Sequence, residues 1–283
     1  MTRRAIGRGP ALARILIVLA SLLSVVGLTA YRAAAPLAAE QKSLLNEIKD
    51  KGELRVGYAV ADPHQFKDPT TGEWKGIAVD IMTNWAEVMG VKHVAVDTSW
   101  ETMIQGLEAG NYDIAAALNR RPPRALVVTY SEAYMADRGV FTVDKNKSNA
   151  HTWADLNVAG QTICVVQGTA EDKSLTAIGT SATLLRLADQ NECRLALQSG
   201  TANAFFDDIS GQAKYANDND WARLIVPDPV LQLEGVGFAI RKGYSYDDVQ
   251  ALDIQVETWI NNGLLAGAQA KYGLPNWEPF TKR

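Results

Sequence analysis

Two cysteines and three histidines in 283 residues leave little material for metal or nucleophile chemistry. His64, His93 and His151 have no triad-like or metal-like neighbours: there is no HExxH, no CxxC and no GxSxG. No cofactor and no metal are therefore expected. Basic runs are missing too. The formal charge of −4 combines 28 Lys and Arg with 32 Asp and Glu. Five of the basic residues, Arg3, Arg4, Arg8, Arg14 and Arg32, lie in the first 39 positions, where there is no acid. The remainder carries 23 basic and 32 acidic residues, a balance of −9, which excludes a nucleic-acid binder that needs clustered Lys and Arg against phosphate.

The basic start runs into an apolar stretch from Ile15 to Ala30 and an alanine-rich exit from Ala33 to Ala39. A positive segment, a short apolar core and small residues at the exit describe a secretory signal peptide over residues 1–39, with Ala39 or Ala30 as the last residue removed. The rival is an uncleaved anchor, since the 16-residue run falls short of the roughly 20 residues that span a bilayer. No cysteine lies near the exit, so a lipoprotein is not expected, and the product belongs in a bacterial periplasm. In an exported chain the pair Cys164 and Cys193 reads first as a disulfide. Two buried thiols and a Cys–His nucleophile pair are the alternatives.

Past the leader, strand and helix patterns alternate. Glu53 to Ala59, His93 to Asp97, Tyr112 to Leu118, Gln161 to Val166, Thr183 to Leu187, Ala202 to Phe206 and Val236 to Ile240 read as strands. Ile77 to Met89 and the stretch after Ser245 carry helical spacing, the latter behind a capping-box start with Asp248 at the third position. The βα order predicts an α/β fold with mainly parallel sheets and right-handed crossovers. The segment Leu107 to Ala115 lines up with Leu197 to Phe205, a helix, a glycine and a strand each time, which points to two similarly built Rossmann-like lobes. The expected division is 40–143 for the first part of lobe one, 144–235 for lobe two, and 236–283 for the return. Two neighbouring crossovers make a two-stranded hinge.

Several segments together carry a family resemblance. Leu45 to Gly57, Asp68 to Ile81, Trp100 with Ile104 to Ile114, and Arg124 with Tyr130 to Tyr134 resemble the polar amino-acid family of periplasmic solute-binding proteins. So do Val165 to Thr169 and Ala204 to Asp208 in the second half. The resemblance implies the type II periplasmic binding fold. It also implies a monomer that closes on a small-molecule ligand, an amino acid or organic acid, and hands it to an inner-membrane ABC permease. A zwitterion leaving water needs a cation for its carboxylate and an acid for its ammonium. Arg124 matches the family's carboxylate-clamping arginine and Asp207 its ammonium-binding aspartate, with Asp208 one residue away as the alternative. Both follow the carboxyl ends of predicted parallel strands, where open α/β sheets place ligands.

Asn119 matches a ligand-contact position, Trp100 an apolar residue flanking the ligand side chain, and Thr169 a hydroxyl at a helix N-terminus able to receive a carboxylate. Phe66 and Tyr58 are further aromatic candidates. Ala117, Asn119 and Ala170 stand where many relatives have hydroxyls, and Pro123 replaces the acid before the arginine, which leaves room for a ligand with a different polar pattern. Two other classes share the fold: a dehydratase-like periplasmic enzyme, which needs a general acid in the cleft, and a docking or sensor module.

Overall fold

The computed structural model describes residues 42–274; the leader expected over residues 1–39 lies outside the described residues. Among those described, no helix is long and apolar enough to cross a membrane.

The first lobe opens with α1 (Leu44–Lys51), β1 (Glu53–Tyr58), a short hairpin of β2 (Phe66–Lys67) and β3 (Trp74–Lys75), α2 (Ile77–Met89) and β4 (Lys92–Asp97). It continues with α3 (Met103–Glu108), β5 (Ile114–Asn119), the single turn α4 (Pro122–Ala125) and β6 (Val128–Tyr130). A long strand, β7 (Met135–Asp144), leads into the second lobe: α5 (Trp153–Leu156), β8 (Thr162–Val166), α6 (Ala170–Ile178), β9 (Thr183–Leu187), α7 (Gln190–Ser199), β10 (Ala204–Asp208), α8 (Ile209–Asp218) and β11 (Ala222–Ile225). The chain returns along β12 (Leu233–Arg241) and ends in α9 (Tyr246–Asn261) and α10 (Leu264–Lys271).

Helix limits follow local chemistry. Gly52 and Gly90 close α1 and α2 in the left-handed region, each at φ 71°, a conformation that costs a glycine nothing sterically. Ser245 caps α9 as expected, but Asp248 does not complete a capping box. Its buried carboxylate accepts Ser43 Oγ at 2.8 Å and the Leu44 N–H at 2.7 Å. The N-terminus of α1, rich in unpaired N–H groups, is a better place for that charge.

The sheet runs β4–β1–β5–β12–β7–β10–β8–β9. Three parallel strands lie at each end, and the antiparallel pair β12 and β7 joins them at Leu233–Val236 against Met135–Arg138. Strand alternation feeds apolar layers on both faces. In β8, Ile163 and Val165 face one core while Cys164 and Val166 face the other.

The sequence repeat has a structural meaning. β5 and β10 hold equivalent places, each between a parallel neighbour and a crossing strand. Asp113 accepts the Arg55 N–H at the start of β1 at 2.9 Å, and Asn203 accepts the Thr162 N–H at the start of β8 at 2.8 Å. The aligned residues thus perform the same task in each lobe.

Cys164 on β8 and Cys193 on α7 form a disulfide, buried and with Cα atoms 5.7 Å apart. It closes a sequence separation of 29 residues. Removing such a loop constraint costs ~3 kcal/mol, so replacing both cysteines by alanine is expected to lower the urea midpoint of the purified protein. An unchanged midpoint would show that the cross-link adds nothing to stability.

Candidate functional site

The carboxyl ends of β5 and β10 and the crossing strands converge on one cavity between the lobes. The first lobe brings Ala61, His64, Trp100, Ala117 and Asn119, and the second Val166, Thr169, Glu171, Gln190, Asp207 and Asp208. Met135, Asp137 and Val236 come from the crossing strands themselves.

A backbone irregularity aims the β5 residues. Ala117 has φ 50°, and the register between β5 and β12 shifts between Gly237 and Ala239. Across this bulge the alternation breaks: Ile114, Ala116 and Ala117 face one core, Ala115 and Leu118 the other. Ala117 and Asn119 thereby both reach the cavity. Holding a non-glycine residue in the left-handed region is locally unfavourable, and such strain is concentrated at binding sites.

Four carboxyl groups line the cavity, and their environments differ. Asp208 accepts the Gly211 N–H at 2.8 Å and the Ser210 hydroxyl, with His64 Nε2 at 3.8 Å. Burial opposes its charge, but the His64, Ser210 and Gly211 interactions prevail and hold its pKa below the ordinary value. Asp207 accepts Gln190 Nε2 at 2.6 Å and Gln212 Nε2 at 3.2 Å. Burial, with Asp208 and Glu171 nearby, raises it well above the carboxylate range. Asp137 accepts Asn119 Nδ2 at 2.7 Å and is likewise raised by burial and by the charges of Glu171 and Asp208. Glu171 is pushed up to about 7, chiefly by burial. Asp208 is thus held toward its charged form beside three acids whose surroundings favour the proton.

Both flanks of the cavity are closed by contacts between lobes. Arg121 pairs with Glu234 at 2.8 Å and donates to the Ala170 carbonyl at 2.9 Å and to Ser174 Oγ at 3.3 Å. On the other side Gln190 Oε1 accepts the Asp62 N–H at 3.1 Å. Gly168 makes the approach possible, since a Cβ there would meet the Glu101 Cα at 2.7 Å. Trp100 packs against apolar clusters of both lobes and donates Nε1 to the Val60 carbonyl at 2.9 Å.

Among the residues expected from sequence, Trp100, Ala117, Asn119, Thr169 and Asp207 line the cavity, as does Asp208. Arg124 stands outside that lining, in a neighbouring recess with Glu101 and Gly168. Its guanidinium donates to the carbonyls of Asn119 at 3.4 Å and Gly168 at 3.1 Å. Tyr58 is fully buried in the first lobe, its hydroxyl 3.0 Å from His93 Nε2, and Phe66 packs edge-on against Tyr272. Neither reaches the cavity lining, because apolar packing within the first lobe claims both rings. Thr169 accepts the Asp172 N–H at 3.2 Å as the cap of α6.

Sequence reasoning missed Asp137, Glu171, His64 and Gln190. Asp137 carried a faint signal, the one acid in the run Met135 to Val143, beside Arg138. Glu171 carried none, since acids in a first helical turn are ordinary.

Residues 54–275 match the model of the bacterial extracellular solute-binding proteins, family 3. The chain belongs to this family. A probable histidine-binding protein of Campylobacter jejuni is 27% identical over 237 residues, spanning 81% of this chain and 88% of that one. The L-cystine-binding protein TcyA of Bacillus subtilis is 23% identical over 206 residues, 72% of this chain and 75% of its own. Among solved structures, the ancestral amino acid-binding protein AncCDT-1, a precursor of cyclohexadienyl dehydratase, superposes with a TM-score of 0.75 at 27% identity, covering 81% of this chain and 99% of that one. The family fold is the type II periplasmic binding fold, in which two lobes close over the cleft.

Elevated carboxyl groups make stability depend on pH. With Glu171 raised to about 7, the folded protein keeps a proton that the unfolded chain has already released. Stability of the ligand-free closed form therefore falls as pH climbs from the ordinary carboxyl range to 7 and levels off above it, by up to about 3 kcal/mol for this group. Urea unfolding between pH 5 and pH 8 is expected to show that decline and a shallower one in Glu171→Gln. Equal slopes would mean that Glu171 titrates normally.

Proposed function

We propose that this protein captures an amino acid, or a close chemical relative of one, between its two lobes in the periplasm and delivers it as a monomer to an inner-membrane ABC permease. The observation that carries this is the cavity itself, walled by both lobes and by the two strands that cross between them. A ligand that touches both walls stabilises the closed arrangement by contacts the open one lacks. Its ammonium meets the ionised Asp208 and the adjoining Asp207, which Gln190, Gln212 and Ser210 hold in place. The relatives named above are binding proteins and support the same activity.

A thermal-shift screen over amino acids and their close relatives is expected to yield a ligand that raises the melting temperature, because binding to the folded state adds apparent stability. Asp207→Asn should weaken that ligand at least tenfold by calorimetry. Its closure should also change Trp100 fluorescence, a signal that Trp100→Phe removes. A screen without any shift, or an Asp207→Asn variant of unchanged affinity, would overturn the proposal.

One observation favours a second reading. A protonated Glu171 in a closed cleft has the form of a general acid, and one structural relative is described as the precursor of a dehydratase. The binding proposal expects prephenate and arogenate to pass through incubation unchanged. Turnover that disappears in Glu171→Gln would establish an enzyme instead.

A further inference from the structure

The walls of the cavity hold four carboxyl groups, one histidine and neither arginine nor lysine. That is an unbalanced site for a zwitterion, whose carboxylate needs a cation or a set of free N–H groups. Two places beside the acids could serve, and the protein already uses part of each. The Arg124 guanidinium lies outside the cavity lining and gives one N–H each to the carbonyls of Asn119 and Gly168. The first turn of α6, a natural anion site, is filled by the chain's own groups. Thr169 Oγ1 accepts the Asp172 N–H, and Asp172 Oδ2 accepts the Gly168 N–H at 3.1 Å.

Acceptors, by contrast, are left over. Asp137 Oδ1 and Glu171 Oε1 receive no N–H from the protein, although their residues are only 6% and 3% exposed. The two carboxyls are neighbours whose charges oppose one another, and both belong to the cavity wall. Buried acceptors without donors are costly, so an arriving ligand with N–H groups gains there. A metal ion does not meet the need, since among the described residues no group of three or more His, Cys, Asp or Glu is placed to hold one. Between the acids, Trp100, Ala117, Met135 and Val166 provide apolar surface, suited to a methylene chain.

We infer that the ligand is an organic dication without a carboxylate, a diamine or a guanidino-amine, with one cationic head on Asp207 and Asp208 and the other on Asp137 and Glu171. This rests on the solute-binding proposal above and names the ligand class for that site.

Calorimetry on the purified protein, dialysed free of small molecules, tests it with matched pairs that differ by one carboxylate: putrescine against ornithine, cadaverine against lysine, and agmatine against arginine. At least one amine is expected to bind tenfold or more tightly than its amino acid. Glu171→Gln is expected to weaken that amine at least tenfold and to narrow its lead over the amino acid. Asp137→Asn is expected to do the same and serves where Glu171→Gln does not fold. An amino acid that binds as tightly as its amine in every pair overturns the inference and leaves the solute-binding proposal standing. Binding of none of the six overturns the inference; if the wider amino-acid screen also fails, the proposal beneath it falls as well. A Glu171→Gln protein that melts normally and binds the amine within twofold of the parent overturns the placement of the second head.

Discussion

The antiparallel pairing of Met135–Arg138 with Leu233–Val236 is the contact on which the architecture turns. β7 continues from it into the second sheet, where it pairs with β10 and β11, while β12 continues into the first sheet beside β5 and β6. One four-residue ladder thus joins two otherwise separate cores. Because the chain crosses there twice, the two lobes are tied together by a short, hydrogen-bonded pair beside the cleft. Met135, Asp137 and Val236 sit on those strands and line the cavity.

From that constraint the electrostatics follow. Closure removes water from a space where acids arrive from β7, β10 and α6. Burial favours the proton on Asp137, Asp207 and Glu171, while His64, Ser210 and the Gly211 N–H favour the charge on Asp208. For the cation inferred above, one charge is favoured in advance and the remaining acids ionise in its company. The same acids in an open cleft would be hydrated and unremarkable.

Much of the fold was legible in local chemistry. Helices α1 and α2 run between the residues expected for them, because Ser43, Gly52 and Gly90 stop the backbone where they stand. The repeat around Gly110 and Gly200 also marked a real equivalence of β5 and β10. Strand β7 was not legible. Its ten residues serve two sheets in succession, so no single alternation governs them, and the short strand β6 depends on β12, a partner distant in sequence.

Site residues divide along the same line. Trp100, Ala117, Asn119, Thr169, Asp207 and Asp208 were reachable from motif position, since they sit at strand ends and helix starts that the βα order places at one edge. The sequence by itself determined the α/β lobes and which strand ends meet the cleft, because capping, periodicity and strand order act over a few residues, whereas it left the disulfide between Cys164 and Cys193 as the first of several readings. Only the tertiary structure decided that Asp137 and Glu171 join the site, that Arg124 turns to backbone carbonyls, and that Tyr58 and Phe66 belong to the packing of the first lobe. Those outcomes depend on which surfaces exclude water when two lobes close, and burial across an interface leaves no periodic trace along the chain.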